Sequence, residues 1–368
     1  MNFFADFRPL AFLIVTLFLT AGAYAQSAKP TPPISEEDQV VKVESRLVMV
    51  PVSVTNSAGD PVLGLKAADF RVSEENRPQI IDSVGDAENV PLEIALLIDV
   101  SGSVNPLFEF EKNAAGQFLK TVMKPEDRAT IFLIGDRPTT VTERENAVQA
   151  AERLKSVIPS GKFTAFYDTV AAAANYLRAK APLKSRRVIV ALTDGEDNWS
   201  DLVRESEKAT YRNVDINRLT AEKRNQLAAS TDGAHKNAQS KIARVLQDAD
   251  TVFYVINPAG ASFHLNKISV RAQTGMEKFA NETGGTFFLP SFGPTGTKDK
   301  LQNSANLRKN EAMLDRIFKQ LANELRAQYL VQYYSESDFP KNKLVKLAVA
   351  LQNPASNRIR ARQGYYVK

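Results

Sequence analysis

Residues 91–103, reading PLEIALLIDVSGS, constrain the fold of this chain more than any other stretch. Leu92, Ile94, Ala95, Leu96, Leu97 and Ile98 form an apolar run without alternation. Such a run suits a strand buried on both faces, in the middle of a parallel sheet covered by helices. It breaks abruptly into Asp99, Ser101, Gly102 and Ser103, which puts oxygen-bearing side chains at every second position just past a buried strand. In open α/β sheets, ligands bind beyond the carboxyl ends of the strands. One carboxylate and two hydroxyls on a tight turn suit a small, hard cation that prefers oxygen ligands.

Two further segments have the character of the same site. Residues 186–199 (RRVIVALTDGEDNW) hold a second apolar strand that ends in Thr193, Asp194 and Gly195. Residues 161–168 (GKFTAFYD) form a glycine turn that carries Thr164 into an alanine-rich helix. Each piece alone has a plain alternative. Ser101 or Ser103 can cap the helix after the strand, and Thr164 can cap the alanine-rich helix. Asp194-Gly195 can be a turn. Glu196 and Asp197 are extra carboxylates next to the site, facing solvent or backing it.

Apolar runs and helix-like stretches alternate from residue 90 to 327, the signature of βα units. Strands are predicted at 93–99, 129–135, 188–193, 251–257 and 285–289, and helices at 107–122, 145–157, 166–181, 269–282 and 311–327. In the last helix, Met313, Leu314, Ile317, Leu321 and Leu325 make a stripe of helical period, read as a core-facing side and nothing more. Residues 201–249 are a long polar insertion with room for two helices, residues 240–246 packing on the sheet. Residues 291–309, rich in Gly, Ser, Asn and Lys, are predicted to be a loop. On either side of this block the pattern changes to period two, with Val48, Val50, Val52 and Val54 before it and LVKLAVAL after it. The expected architecture is a doubly wound, mostly parallel α/β sheet (90–327) inserted into a small β-sandwich made of 40–88 and 329–368.

The N-terminus reads as a secretory signal, residues 1–25. It has an apolar core, LAFLIVTLFLT, and the small-x-small site Ala23-Tyr24-Ala25, followed by a proline-rich linker over 26–39. The core is too short for a membrane span of about 20 residues, and no later stretch is apolar enough for one. The expectation is an exported protein, periplasmic or secreted, without a transmembrane span once the signal is cleaved. The chain has no cysteine, which excludes disulfides, thiolate metal sites and a cysteine nucleophile. Its net charge of +5 is spread among interleaved acids and bases, so no nucleic-acid arm is present. The basic stretch from Lys341 alternates with apolar residues and reads as a solvated strand face.

The set Asp99-x-Ser101-x-Ser103, Thr164 and Thr193-Asp194-Gly195 resembles the metal-ion-dependent adhesion site of von Willebrand factor A domains. More narrowly, DFRVSEENRPQ before the block, Thr283-Gly284-Gly285-Thr286, and the closing YLVQYY and Arg360-Ala361-Arg362-Gln363-Gly364-Tyr365 resemble exported bacterial proteins of the acidobacterial VWFA-related type. The resemblance implies that Asp99, Ser101, Ser103, Thr164 and Asp194 bind Mg²⁺, or else Mn²⁺ or Ca²⁺. It also implies a vacancy on the ion for the Asp or Glu carboxylate of a partner protein, and a non-catalytic binding role. The alternatives are an envelope scaffold with a vestigial metal site and, less favoured, a metal-dependent hydrolase using Ser101 as nucleophile or a metal-bound water. Only two histidines are present, His235 and His264, and both are expected at the surface outside any triad.

Overall fold

The computed structural model describes residues 46–101, 108–161, 163–212, 214, 219–258, 260, 266–295, 297–354 and 356–367. The signal and linker expected over residues 1–39, together with Ser103 and His264, lie outside the described residues. The N-terminal strands are β1 (Arg46–Thr55), β2 (Phe70–Glu74), β3 (Arg77–Gln79) and β4 (Ile81–Asp86). In β1 the alternating valines 48, 50, 52 and 54 are all buried, as period two requires. Glu75 and Asn76 join β2 to β3 in a two-residue turn with φ of 48° and 64°. This left-handed pair matches the right-handed twist of a hairpin.

The central block runs β5 (Leu92–Asp99), α1 (Phe108–Val122), β6 (Arg128–Ile134), β7 (Thr139–Glu145), α2 (Ala147–Lys155), α3 (Phe166–Lys180), β8 (Arg186–Leu192), α4 (Asp201–Tyr211), α5 (Ala221–Asp248), β9 (Thr251–Ile256), α6 (Lys267–Thr283), β10 (Phe287–Phe288) and α7 (Lys300–Arg326). Its six strands pair in the order β10-β9-β8-β5-β6-β7, parallel except for β7. Leu92, Ile94, Leu96 and Ile98 of β5 pack with α1, α2 and α7, while Ala95 and Leu97 face α3, α5 and α6. Both faces are therefore covered, which is why β5 shows no alternation.

Four C-terminal strands follow: β11 (Tyr329–Ser335), β12 (Leu344–Leu351), β13 (Arg358–Ala361) and β14 (Gly364–Tyr366). They interleave with the N-terminal strands in two antiparallel sheets, β13-β1-β11-β4 and β14-β12-β2-β3. The two sheets share a core of Val50, Val52, Phe70, Val331, Tyr333 and Val345 among others. The fold is thus a doubly wound α/β sheet together with a β-sandwich built from both ends of the chain. Among the described residues no helix is long and apolar enough to cross a membrane.

Two local expectations are corrected. Residues 300–309, expected in a loop, form the first turns of α7. Asp299 caps them, accepting from the N–H groups of Leu301 (2.9 Å) and Gln302 (3.0 Å). Buried Asn306 and Asn310 also hold down the preceding segment through the Pro294 carbonyl and both backbone groups of Gly293. The helix expected from residue 145 starts at Ala147, because Asn146 caps it and the residues before it form the antiparallel edge strand β7. The polar stretch 201–249 does hold two helices, and the second supplies Ala238, Ile242 and Leu246 to the sheet's core.

Candidate metal centre

Asp99 ends β5, and the parallel register pairs Ile98 with Leu192 of β8. The chains leaving these two strands therefore emerge side by side at the carboxyl end of the sheet. Thr193 donates its hydroxyl to Asp99 Oδ2 at 2.6 Å and accepts from the Gly195 N–H at 2.9 Å. Ser101 donates to Asp99 Oδ1 through its N–H at 3.0 Å and its hydroxyl at 2.5 Å. Both carboxylate oxygens of Asp99 are thus fixed in direction by hydroxyls from two separate segments. Asp194 Oδ1 accepts from the Glu196 N–H at 3.0 Å, a local turn that orients its carboxylate. Gly195 sits at φ +72°, and a Cβ there would lie 2.6 Å from Met276 Sδ. The left-handed backbone favours glycine at this position, and a side chain there would also have to displace the end of Met276.

Thr164 reaches the same end from a third segment. The Ser160 N–H donates to the Val100 carbonyl at 2.8 Å and the Ala165 N–H to the Gly135 carbonyl at 2.6 Å, so this loop lies across the ends of β5 and β6. The backbone of Thr164 is clamped to the loop after β8. Its N–H donates to Asn198 Oδ1 at 2.8 Å, and its carbonyl accepts from Asn198 and Trp199 N–H groups at 3.1 and 3.0 Å. The structure therefore brings Asp99, Ser101, Asp194 and Thr164 to one end of the sheet. Capping of α3 does not fall to Thr164, since the N-cap position is Ala165 and the buried Tyr167 N–H, free of any helical acceptor, is taken by Asp197 Oδ2 at 3.0 Å.

The charges at this end repel one another. Burial raises the Asp99 carboxyl above its ordinary range, against the opposing hydrogen bonds from Ser101 and Thr193. Burial pushes Asp194 up to about 6, with the negative charges of Asp99 and Glu196 adding to the effect. Glu111, on the buried side of α1, is pushed up to about 7 by burial first and then by Asp99 and Asp194. Buried like charges of this kind are relieved by proton uptake or by a cation. Among the described residues no three His, Cys, Asp or Glu side chains gather as a metal-binding group. A centre here would combine two carboxylates with hydroxyls, and that all-oxygen donor set fits a hard divalent ion.

Two sequence expectations fail around the site. Asp197, expected to face solvent or back the site, is 4% exposed and serves as a structural cap: besides the Tyr167 N–H it binds the N–H (3.2 Å) and the hydroxyl of Ser200. His235, expected at the surface, is 3% exposed and lies edge-on to Tyr167 with ring centroids 5.8 Å apart. Its Nδ1 lacks a partner, and burial lowers its pKa to about 4. Glu196 is engaged as well, accepting the Ser269 hydroxyl at 2.5 Å.

Sequence reasoning did not single out Glu111, or an aromatic rim beside Thr164. Phe163 is 51% exposed and stacks on Trp199, with centroids 4.0 Å apart and 6° between planes, and the Arg204 guanidinium lies 4.3 Å from the Trp199 ring centre. Phe163 directly precedes Thr164 and Trp199 is the chain's one tryptophan, so a signal for the rim was present.

Residues 94–196 match the family model of the von Willebrand factor type A domain, a span from β5 through the loop after β8. No curated protein matches the chain. Among solved structures, an aerotolerance-related membrane protein from Bacteroides fragilis aligns at 18% identity, over 63% of this chain and 98% of its own, with a TM-score of 0.34. Proximal thread matrix protein 1 from the mussel byssus, with a zinc-occupied MIDAS motif, aligns at 14% identity over 69% of this chain and 50% of its own (TM-score 0.40). Manganese-loaded TRAP protein from Plasmodium vivax aligns at 11% identity over 82% of this chain and all of its own, 100% (TM-score 0.36).

Proposed function

We propose that this chain, which carries a von Willebrand factor type A domain, is a non-catalytic, metal-dependent protein-binding module exported to the cell envelope or beyond. In this reading Asp99, Ser101, Ser103, Thr164 and Asp194 hold one divalent cation, Mg²⁺ or else Mn²⁺ or Ca²⁺. When bound, the ion supplies positive charge and a free coordination position for an Asp or Glu carboxylate of the partner. The chain's own residues do the positioning. Thr193 and Ser101 set the direction of the Asp99 carboxylate, the Gly195 turn aims Asp194, and Asn198 ties Thr164 to the same loop. The observation that carries the reading is the burial of Asp99, Asp194 and Glu111 within electrostatic reach, the charges of Asp99 and Asp194 both acting on Glu111 and that of Asp99 on Asp194. Trp199 with Phe163 and Arg204 at the rim adds the residue types that anchor protein interfaces. Export rests on the signal-like segment over residues 1–25.

The test is calorimetric titration of MgCl₂, MnCl₂ and CaCl₂ into the purified chain and its Asp99→Ala variant, followed by capture of envelope proteins with and without EDTA. Replacing groups that merely support a metal ligand costs roughly 10–100-fold in affinity, so loss of Asp99 itself is expected to cost about 100-fold or more. Circular dichroism of the variant should stay native, and capture should vanish in EDTA. Partner capture by Asp99→Ala at the wild-type level, untouched by EDTA, would leave the scaffold reading in its place.

A further inference from the structure

Phe163 is the one exposed phenylalanine among the described residues, with 51% of its surface in water, although Phe166 and Tyr167 just beyond it are buried. Its position is fixed from beneath. The ring lies parallel on Trp199 at 4.0 Å, and Trp199 is held in turn by the Arg204 guanidinium. The Trp199 backbone N–H donates to the Thr164 carbonyl at 3.0 Å, so the stack is pinned to the backbone of a candidate metal ligand. Stacking occupies one face of the Phe163 ring, which leaves its exposure to the opposite face and the edge.

The turn that carries Asp194 has apolar neighbours too. Glu196, two residues beyond Asp194, accepts the Ser269 hydroxyl at 2.5 Å, and Ser269 stands between the exposed Ile268 and Val270 at the start of α6. Apolar residues scattered singly over a surface need no explanation, but apolar groups gathered around a polar centre mark a protein-binding surface. Chain geometry then sets the spacing. Phe163 and Thr164 are adjacent, with Cα atoms about 3.8 Å apart, and residues two apart in an extended segment lie roughly 6.6 Å apart. A partner whose carboxylate reaches an ion held by Thr164 therefore brings a residue one or two positions away against Phe163.

We propose that the partner is a polypeptide segment in which the coordinating Asp or Glu has an aromatic or large aliphatic residue one or two positions away, and that Phe163, backed by Trp199, receives that side chain. The proposal rests on the metal-site reading given above. The carboxylate answers the charge of the ion and the neighbouring apolar residue answers the ring, so each part of the segment meets its complement. Because Phe163, Trp199 and Arg204 already hold one another in place, contact with them costs little further side-chain ordering. An acid flanked only by polar residues leaves the ring in water and binds more weakly.

The experiment selects from a displayed library of random seven-residue peptides on the purified chain in MgCl₂, with bound peptides released by EDTA. Released peptides are expected to carry Asp or Glu with Phe, Tyr, Trp, Leu or Ile within two positions. Phe163→Ala should bind synthetic copies of them about tenfold more weakly, while calorimetry with MgCl₂ gives the wild-type affinity. Trp199 is the chain's one tryptophan, so its emission supplies a second measure on the unaltered protein. A selected peptide free of tryptophan should shift that emission more than the same peptide with glycine in place of the apolar residue. The inference is overturned if EDTA releases no peptides, if those released have acids without apolar neighbours, or if Phe163→Ala binds them as tightly as wild type; the metal site stands in each case as long as MgCl₂ binds. Should MgCl₂ itself not bind, the metal-site reading fails and takes this inference with it. Should Phe163→Ala not fold, the emission decides, and equal responses to the two peptides reject the role of the ring.

Discussion

The loop after β8 shows how much rests on single residues. Gly195 lets the chain turn with φ +72° while Met276 packs where a side chain would begin. Gly195→Ala is expected to cost about 1–2 kcal/mol for the left-handed backbone alone, with further loss from displacing Met276. Urea denaturation measures that cost. Calorimetry with Mg²⁺ should show weakened binding as well, because Asp194 rides on the same turn. At this scale the sequence was partly legible. Asp99, Ser101, Thr164 and Asp194 could be read from strand ends and turns, since short oxygen-bearing residues after apolar runs are a local pattern. Glu111 could not, because a helical acid twelve residues beyond Asp99 carries no mark until α1 docks against the sheet. His235 was misread for a related reason. The polar composition of 201–249 hid the stripe Ala234, Ala238, Ile242, whose burial in α5 carries the histidine inward with it.

Helices at the site are held by one another's side chains as much as by their own. Asp197, in the loop before α4, caps α3, and Asp168, in α3, accepts from the first N–H of α4 at 2.7 Å. Asp197→Ala should destabilise the protein by about 2 kcal/mol or more, since it leaves the Tyr167 and Ser200 N–H groups buried without an acceptor. Asp197→Asn keeps an acceptor and should cost less in the same thermal or urea melts. Packing of α5 on α3 makes a different prediction through His235. The unfolded chain takes up the imidazole proton near the ordinary 6.5, whereas the folded chain, with His235 buried and facing the Arg271 charge, takes it up only near 4. Between those values the unfolded state binds more protons, so this contribution is complete above about pH 6.5 and is lost as pH falls towards 4. Comparing wild type with His235→Phe cancels the opposing carboxyl titrations. On moving from pH 7 to pH 4.5 the wild type should lose about 2 kcal/mol more than the variant; equal losses would count against a buried, neutral His235. Most of these elements were legible from apolar period. The strand β7 was not, because TTVTERE buries only Thr142 and offers no apolar run.

For the molecule as a whole, the sandwich closes the chain on itself. In one sheet β1 lies between β11 and β13, so Val50 pairs with Val331 across most of the sequence. In the other, β2 depends on β12. A chain ending at Ala327 should therefore lose hydrogen-exchange protection across residues 46–55 and 70–74, even where the α/β sheet keeps its own. Retained protection there would mean that the N-terminal strands are stable without their partners. The sequence alone determined the two kinds of sheet, the strand ends where a site would form and the oxygen donors at those ends, because burial period and turn chemistry are written in neighbouring residues. Tertiary structure alone decided which carboxyls repel one another, which hydroxyls orient Asp99, and which helix the buried Asp197 carboxylate caps. Those outcomes depend on charge, solvent exclusion and hydrogen-bond partners brought together from distant segments, and no local pattern records that proximity.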